Sequence, residues 1–305
     1  MVTYVLQRLL QSVFVLVLVS LITFLILQLS GDPLSLLIEP QAPREAIEEL
    51  RRELGLDQPI HIQFIRFLER AARGDLGDSL RYGSPTLPIA LSRLPATIEL
   101  SLAAMTMALV VGIPAGIISA VNRNSRRDFA IRFAAFIAQA VPFFWLAIML
   151  ILVVSVKLEW LPTSGRGDWR HLILPAFTLA LLPMARITRL LRSSLLSVLR
   201  EDYIAVARAK GLRPRSVVMG HAVRNALLPV ITDIAILFGS LLSGAIIIET
   251  IFAWPGIGRL VIDSIASRDY PMVQTLVMLN AAIFIALNLI ADVSYVVIDP
   301  RVRRS

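Results

Sequence analysis

The chain has 305 residues, of which 56% are hydrophobic and only 17% are charged, and its formal net charge is +8. Soluble domains carry about 25% charged residues, and several apolar runs here exceed the roughly 18 residues that mark a membrane-spanning helix. A soluble domain is therefore excluded, and the composition indicates an all-α, polytopic membrane protein. The absence of cysteine excludes disulfides, thiolate catalysis and sulfur-ligated metals.

Six transmembrane helices are predicted in chain order. The first run is longer than the apolar core of a signal peptide and lacks a small-residue cleavage site, so it is interpreted as a retained helix. The predicted spans cover residues 9–31, 100–121, 133–156, 171–190, 226–248 and 270–291. The predicted organisation is a first transmembrane helix (1–30), an external segment (31–95), a five-helix core (96–298) and a tail (299–305).

The span at 171–190 has the weakest signal, because it contains Pro175 and Pro183 and ends beside Arg186 and Arg189. Membrane helices tolerate proline when neighbouring groups satisfy the freed backbone, and arginine can snorkel. Without this span the chain would cross five times. Six crossings place the basic segments 122–132, 186–225 and 299–305 on one side and the mildly acidic segment 31–95 on the other. Basic loops are typical of the cytoplasmic side, so both termini are predicted to be cytoplasmic and the positive charge is not a nucleic-acid footprint.

The sequence contains none of the motifs that would make this chain an enzyme by itself. A P-loop needs Lys followed by Ser or Thr, whereas Lys157 precedes Leu and Lys210 precedes Gly. The three histidines fall in three different regions, and neither His-Glu-x-x-His nor Gly-x-Ser-x-Gly occurs. We therefore expect no catalytic residue, no metal ligand and no cofactor bound by this chain.

Several polar and aromatic residues within the spans are candidates for a translocation pathway. Intramembrane acids are functional candidates by default, and Asp233 lies inside the fifth span, with Glu249 and Asp292 near the ends of theirs. The alternative is that the last two acids are interfacial, that Asp233 is held by a helix end or a nearby Arg, and that the aromatic residues face lipid or pack helices. The candidate set is Phe143, Phe144, Trp145, Asp233, Ser240 and Ser243.

The cytoplasmic segment at about 190–225 contains "EDYIAVARAKGLRP" at 201–214. Acids at its start and bases near its end complement a helix dipole. Gly211 is placed for a left-handed cap, and Pro214 follows, as after a helix end. The predicted helix either docks into a groove of a soluble partner or lies on the membrane as a connector. Its predicted docking face consists of Tyr203, Val206, Ala207 and Lys210.

The extended segment "EDYIAVARAKGLRPRSVVMGHAVRN" resembles the EAA loop of ABC importer permeases. The Glu and first Ala of that signature correspond to Ala205 and Val206, so only Ala207 and Gly211 match. This departure is similar to the dipeptide/oligopeptide branch. Other pieces of that branch occur in order: "GDP" at 31–33, "LGLDQP" at 54–59, "GDLGDSL" at 74–80, "FAWPGIGRL" at 252–260, "RDYP" at 268–271 and "DPRVR" at 299–303.

The resemblance implies a type I ABC importer permease fold in a bacterial or archaeal cytoplasmic membrane. It implies a second, similar permease, two cytoplasmic ATPases that use ATP and Mg, and an external binding protein. The ATPases would bind the loop and drive alternating access. The residues that would form this coupling loop are Glu201, Asp202, Tyr203, Val206, Ala207, Lys210 and Gly211.

The expected substrate is a di- or oligopeptide. The same branch also serves glutathione, nickel and some sugar oligomers, and nothing in the spans selects among them. An autonomous secondary carrier is the alternative from another class. It would move substrate alone along an ion gradient, whereas a permease subunit would not.

Overall fold

The computed structural model describes residues 2–29, 48 and 57–298. Within these residues twelve α-helices follow one another in the chain, with two π-helical segments at Ile151–Lys157 and Val217–Ala222. The helices are α1 (Val2–Leu29), α2 (Ile60–Ala72), α3 (Thr86–Val121), α4 (Arg126–Ala140), α5 (Phe143–Leu150), α6 (Trp169–Val198), α7 (Asp202–Ala209), α8 (Pro214–Ser216), α9 (Val223–Ala226), α10 (Leu228–Ile251), α11 (Ile257–Ala266) and α12 (Tyr270–Ile298).

Four described helices, α1, α3, α6 and α12, are long and apolar enough to cross a membrane. Two bent helical pairs, 126–157 and 214–242, raise the number to six if each pair makes one crossing. The all-α membrane class is thereby confirmed, and the weak span at 171–190 lies within the continuous helix α6.

The third predicted span, 133–156, is not one helix. α4 ends at Ala140 and α5 begins at Phe143, and the pair bends by 99°. Pro142 lacks a backbone N–H and disfavours the helical conformation of the residue before it, and Val141 is extended at φ −80° and ψ 124°. The apolar run is continuous across this break, so hydropathy alone does not detect it.

The second span begins earlier than predicted. α3 starts at Thr86 rather than near residue 100 and continues through Pro88 and Pro95. The predicted boundary between the external segment and the core therefore falls inside a helix. The segments "GDP" and 299–305 lie outside the described residues.

The described part of the chain divides into two compact units. The first contains the described residues up to Pro95 together with Gly256–Ala286, and the second contains Ala96–Pro255 and the described residues from Leu287. The division after Pro95 coincides with the predicted boundary, but residues 256–286 group with the N-terminal part rather than with the predicted core. In the first unit, Phe24 of α1 packs on Phe64 of α2 with ring centroids 5.5 Å apart.

Asp269 is the polar centre of the first unit. Its carboxylate is 1% exposed and accepts a hydrogen bond from the hydroxyl of Ser79. It also accepts from the backbone N–H groups of Leu80 at 3.1 Å and Met272 at 3.3 Å. The segments "GDLGDSL" and "RDYP", which are distant in the chain, are therefore joined by one buried carboxylate.

Replacing Asp269 by alanine is expected to lower the stability of the chain by about 2 kcal/mol, because each lost bond to a charged group contributes about 1.5–3 kcal/mol and water enters part of the site. Thermal unfolding of the purified protein in detergent measures the loss. Asp263→Ala is the matched control, since the Asp263 side chain is 45% exposed and pairs with Arg259 at 3.8 Å. Equal losses for the two variants would contradict the role assigned to Asp269.

The second unit is organised around α6, which packs against α4, α5, α9 and α10. α6 is N-capped by Asp168, whose pKa is held below its ordinary value by the hydrogen bond to His171. α3 approaches α6 closely at Gly112 and Gly116, where an added Cβ would lie 3.0 Å from the carbonyl oxygens of Met184 and Thr188, respectively. Small residues four apart are typical of such close membrane-helix packing.

The "FAWPGIGRL" segment begins in a densely packed turn of the second unit. Trp254 is 1% exposed and donates from Nε1 to the carbonyl of Ala96 at 2.8 Å. Glu249 is fully buried and accepts from the hydroxyl of Thr97 at 2.6 Å. Glu249 is thus enclosed by protein, and a hydroxyl from α3 hydrogen-bonds its carboxylate, as a buried carboxylate requires.

Candidate functional site

The helix predicted for the EAA-like segment is α7. It begins after Glu201, which is extended at φ −70° and ψ 147°, and carries Asp202 in its first turn and Arg208 in its last. Gly211 has the predicted left-handed conformation at φ +75°, and its N–H donates to the carbonyl of Arg208 at 2.9 Å. The acidic start, the basic end and the glycine cap therefore shape this short helix as the sequence indicated.

The orientation of α7 differs from the prediction at one position. Ile204 and Ala207 are buried and belong to the main core cluster of the second unit, whereas Tyr203 and Val206 are 42% and 53% exposed. Ala207 therefore anchors the helix and does not belong to its exposed face. Ile204 was missed, because both i, i+3 pairs are apolar and only tertiary packing decides which pair turns inward.

The exposed apolar side chains of this region are together called the loop surface. Tyr203 and Val206 contribute to it together with Leu212 (40% exposed) and Met219 (58% exposed). The Tyr203 hydroxyl accepts a hydrogen bond from the amide of Asn225 at 2.8 Å, which ties α7 to α9. Exposed Glu201, Lys210 and Gly211 lie at its two ends. α7 contacts the π-helical segment that carries Met219, and exposed apolar residues grouped in one region are typical of an interaction site.

A cavity of about 470 Å³ lies in the same unit, between α4, α5, α6 and α10. Its size is within the range of small-molecule pockets, about 300–1,000 Å³. Apolar side chains form most of the wall, and the polar groups come from three different helices. The lining residues are Gln139, Phe143, Thr178, Leu179, Leu182, Pro183, Arg186, Arg189, Leu237, Ser240 and Leu241.

The cavity contains only part of the predicted pathway set. Phe143 and Ser240 line it, whereas Phe144 and Trp145 are each 50% exposed on the surface and are not among the lining residues. The side chain of Ser243 lies outside the described ones. α5 therefore directs one aromatic ring into the cavity and the next two away from it.

Asp233 is not among the lining residues of the cavity, but it pairs with Arg186, which is. It is 8% exposed, and its Oδ1 accepts from Nη2 of Arg186 at 2.5 Å. This ion pair agrees with the interpretation that a nearby Arg holds Asp233. The four polar residues Gln139, Thr178, Arg186 and Arg189 were missed as pathway candidates, because the arginines were interpreted only as topology signals.

A more deeply buried ion pair lies where α4 begins. Asp128 is fully buried, and its carboxylate accepts hydrogen bonds from Nε of Arg192 at 2.8 Å and from Nη2 at 2.9 Å. Its carboxylate also accepts from the Ser119 hydroxyl at 2.5 Å and the Asn124 N–H at 3.0 Å. Arg192 lies in the last two turns of α6, shortly before α7, so the pair fixes the segment that leads into the loop surface.

Comparisons with known proteins agree with this architecture. Two family models match the chain: "Binding-protein-dependent transport system inner membrane component" over residues 112–304 and the N-terminal component of the same kind of system over residues 1–102. The oligopeptide transport system permease protein AppB of Bacillus subtilis is 39% identical over 314 residues, covering 99% of both chains. The glutathione transport system permease protein GsiC of Escherichia coli is 42% identical over 304 residues, again covering 99% of both.

Solved structures show the same fold at low identity. An inward-facing crystal form of the MetNI methionine ABC transporter matches with a TM-score of 0.60 and 17% identity, over 69% of this chain and 96% of that one. An amino acid ABC transporter matches with a TM-score of 0.52 and 14% identity, over 68% and 93%. With the family models covering nearly the whole length, the chain belongs to the family of binding-protein-dependent transport system inner membrane components.

Proposed function

We propose that this permease works in an ATP-driven importer of di- or oligopeptides, with a second permease, two cytoplasmic ATPases and an external binding protein. The observation that carries the proposal is the loop surface: a short capped helix that exposes Tyr203 and Val206 on a chain without a P-loop of its own. Relatives named for oligopeptide and glutathione transport match over the full length, which favours a peptide-type substrate.

The anchoring of α7 suggests how a partner's ATP cycle would act on the transmembrane helices. Ile204 and Ala207 insert into a core cluster that also contains Leu191 and Leu195 of α6. Packed interiors transmit displacement because their side chains are close-packed and have few voids. A pull on the exposed face of α7 would therefore move the end of α6, a helix whose preceding turns line the cavity. Alternating access would follow from a shift between two packed arrangements.

The proposed location is the cytoplasmic membrane of a bacterium or an archaeon, with the loop surface on the cytoplasmic side. The basic segments 122–132 and 186–225 support this orientation. Exposed Trp160 and Trp169, 70% and 68% accessible, flank the opposite loop, as interfacial aromatic residues do. ATP and Mg²⁺ would be bound by the partner ATPases.

Reconstitution tests the proposal. The permease is co-expressed with the second permease and the ATPases encoded with it, and the purified assembly is placed in proteoliposomes with its binding protein. Peptide-stimulated ATP hydrolysis and peptide uptake are expected only when all subunits are present. Ion-gradient-driven uptake by this chain alone would instead indicate a secondary carrier, and stimulation by nickel or a sugar oligomer without peptide would contradict the proposed substrate.

Val206→Glu is expected to weaken ATPase binding by about tenfold, because it places an unpaired charge in an apolar contact. A tenfold loss of affinity corresponds to about 1.4 kcal/mol of binding free energy. The exposed position keeps the chain folded. Co-purification of the ATPases through a tag on the permease measures the effect. Val206→Thr, which has nearly the same shape and no charge, serves as the control. Full retention of the ATPases by the glutamate variant would exclude this face as the docking site.

A further inference from the structure

We propose that the cavity between α4, α5, α6 and α10 binds a carboxylate of the transported substrate through Arg189 and the side-chain amide of Gln139. The inference rests on the proposed function and adds the chemistry of the substrate group that this chain contacts. Both residues line the cavity.

The charges around the cavity leave one cation unmatched. Arg186 and Arg189 both line the wall, but Arg186 is paired with Asp233. No carboxylate of the described residues lies within ion-pair distance of Arg189. The other lining residues are neutral. The Arg189 side chain is exposed and lines the cavity, so its guanidinium is accessible to a ligand there, and its planar fork matches a carboxylate.

Gln139 supplies an independent observation. Its Nε2 is buried and has no hydrogen-bond partner within the described structure. Leaving a buried amide donor unsatisfied costs about 1–3 kcal/mol, so such a group in a folded protein calls for a partner. A substrate carboxylate would supply that partner once the amide turns toward the cavity, because a carboxylate has two oxygens and can accept from both a guanidinium and an amide.

The remaining wall fits the rest of a short peptide. Phe143, Leu179 and Leu237 give an apolar lining without a strong shape requirement, and a volume of about 470 Å³ is within the ordinary range for a small-molecule pocket. A few polar groups fix orientation in such pockets, whereas apolar walls accept varied side chains. The cavity is thus suited to a peptide whose carboxylate is recognised and whose side chains are not.

The test compares trialanine with its C-terminal amide in proteoliposomes that contain the full assembly. The concentrations are set so that the binding protein has equal occupancy with either peptide, which removes its own preference. Arg189→Gln is expected to lower the initial rate of trialanine uptake about tenfold and that of the amide less than twofold. Gln139→Leu should show the same pattern with a smaller effect: the rate of trialanine uptake falls, and it falls more than the rate for the amide.

The matched control is Arg170→Gln, which removes an exposed arginine from the same helix outside the cavity. It is expected to leave both uptake rates unchanged. Equal losses for trialanine and its amide in Arg189→Gln would assign this arginine to helix positioning or to a lipid headgroup, and would overturn the proposal. Unaltered trialanine uptake would also overturn it. A wild-type assembly that takes up neither peptide would contradict the proposed function itself, which is a separate result.

Discussion

Replacing Arg192 by methionine is expected to lower the free energy of unfolding by about 3 kcal/mol. Loss of one partner of a buried ion pair costs about 3–5 kcal/mol, because the remaining charge is left without compensation. Asp128 is fully buried and would keep the Ser119 hydroxyl, the Asn124 N–H and a contact to Arg132 at 3.4 Å. These residual partners place the effect at the lower end of that range. Thermal unfolding of the purified protein in detergent measures it.

The double variant Asp128→Leu/Arg192→Met is expected to regain most of the lost stability, since apolar replacement of both partners is often nearly neutral. The chain offers a matched control in Arg166 and Glu99, an ion pair at 2.6 Å whose side chains are 43% and 42% exposed. Arg166→Met should cost less than about 1 kcal/mol, as is typical of exposed pairs. Similar losses from the two pairs would show that burial is not the source of the Asp128 effect.

Gly211→Ala is expected to lower peptide-stimulated ATP hydrolysis at least fivefold while leaving membrane insertion intact. Gly211 has φ +75°, and an added Cβ would meet no atom within 4 Å. The cost is therefore conformational, about 1–2 kcal/mol for an L-residue in the left-handed region, which lowers the ratio of the native to the alternative conformations of the helix end about five- to thirtyfold. Gly211→Val should have a larger effect, because a β-branched residue is more strained there.

Gly220→Ala is the matched control for this result. It adds the same atom to a nearby exposed glycine that also has open space, but without a positive φ. Gly211→Asn is a second control, because asparagine enters the left-handed region more readily. Normal stimulated ATP hydrolysis in Gly211→Ala and Gly211→Val would exclude a role for the capped end of α7 in coupling.

The local features of the loop were predictable because they depend on neighbours in the chain. The acids at 201–202, the bases at 208–210 and Gly211 specify the start, the end and the cap of α7. Which side of the helix faces inward was not predictable. Tyr203 with Val206 and Ile204 with Ala207 are both apolar pairs, and the choice depends on a core assembled from α6 and α9.

Hydropathy identified the membrane class and the six apolar segments, because each depends on a sum over about 20 residues. The same sum concealed the 99° bend at Val141–Pro142, since a sharp turn within a uniformly apolar run does not change the average. Charge counting likewise predicts which side is cytoplasmic. It treated Asp128, Arg186 and Arg192 as independent charges, although each has a specific buried or cavity-lining partner.

By itself, therefore, the sequence determined the membrane class and the shape of α7, through the apolar length of its segments, helical periodicity and capping. Only the tertiary structure decided the cavity and its charge. Gln139, Arg189 and Ser240 come from three helices, Arg186 meets Asp233 across 47 residues of chain, and Arg192 meets Asp128 across 64. Such pairings depend on how helices pack, and no local or averaged property of the chain specifies them.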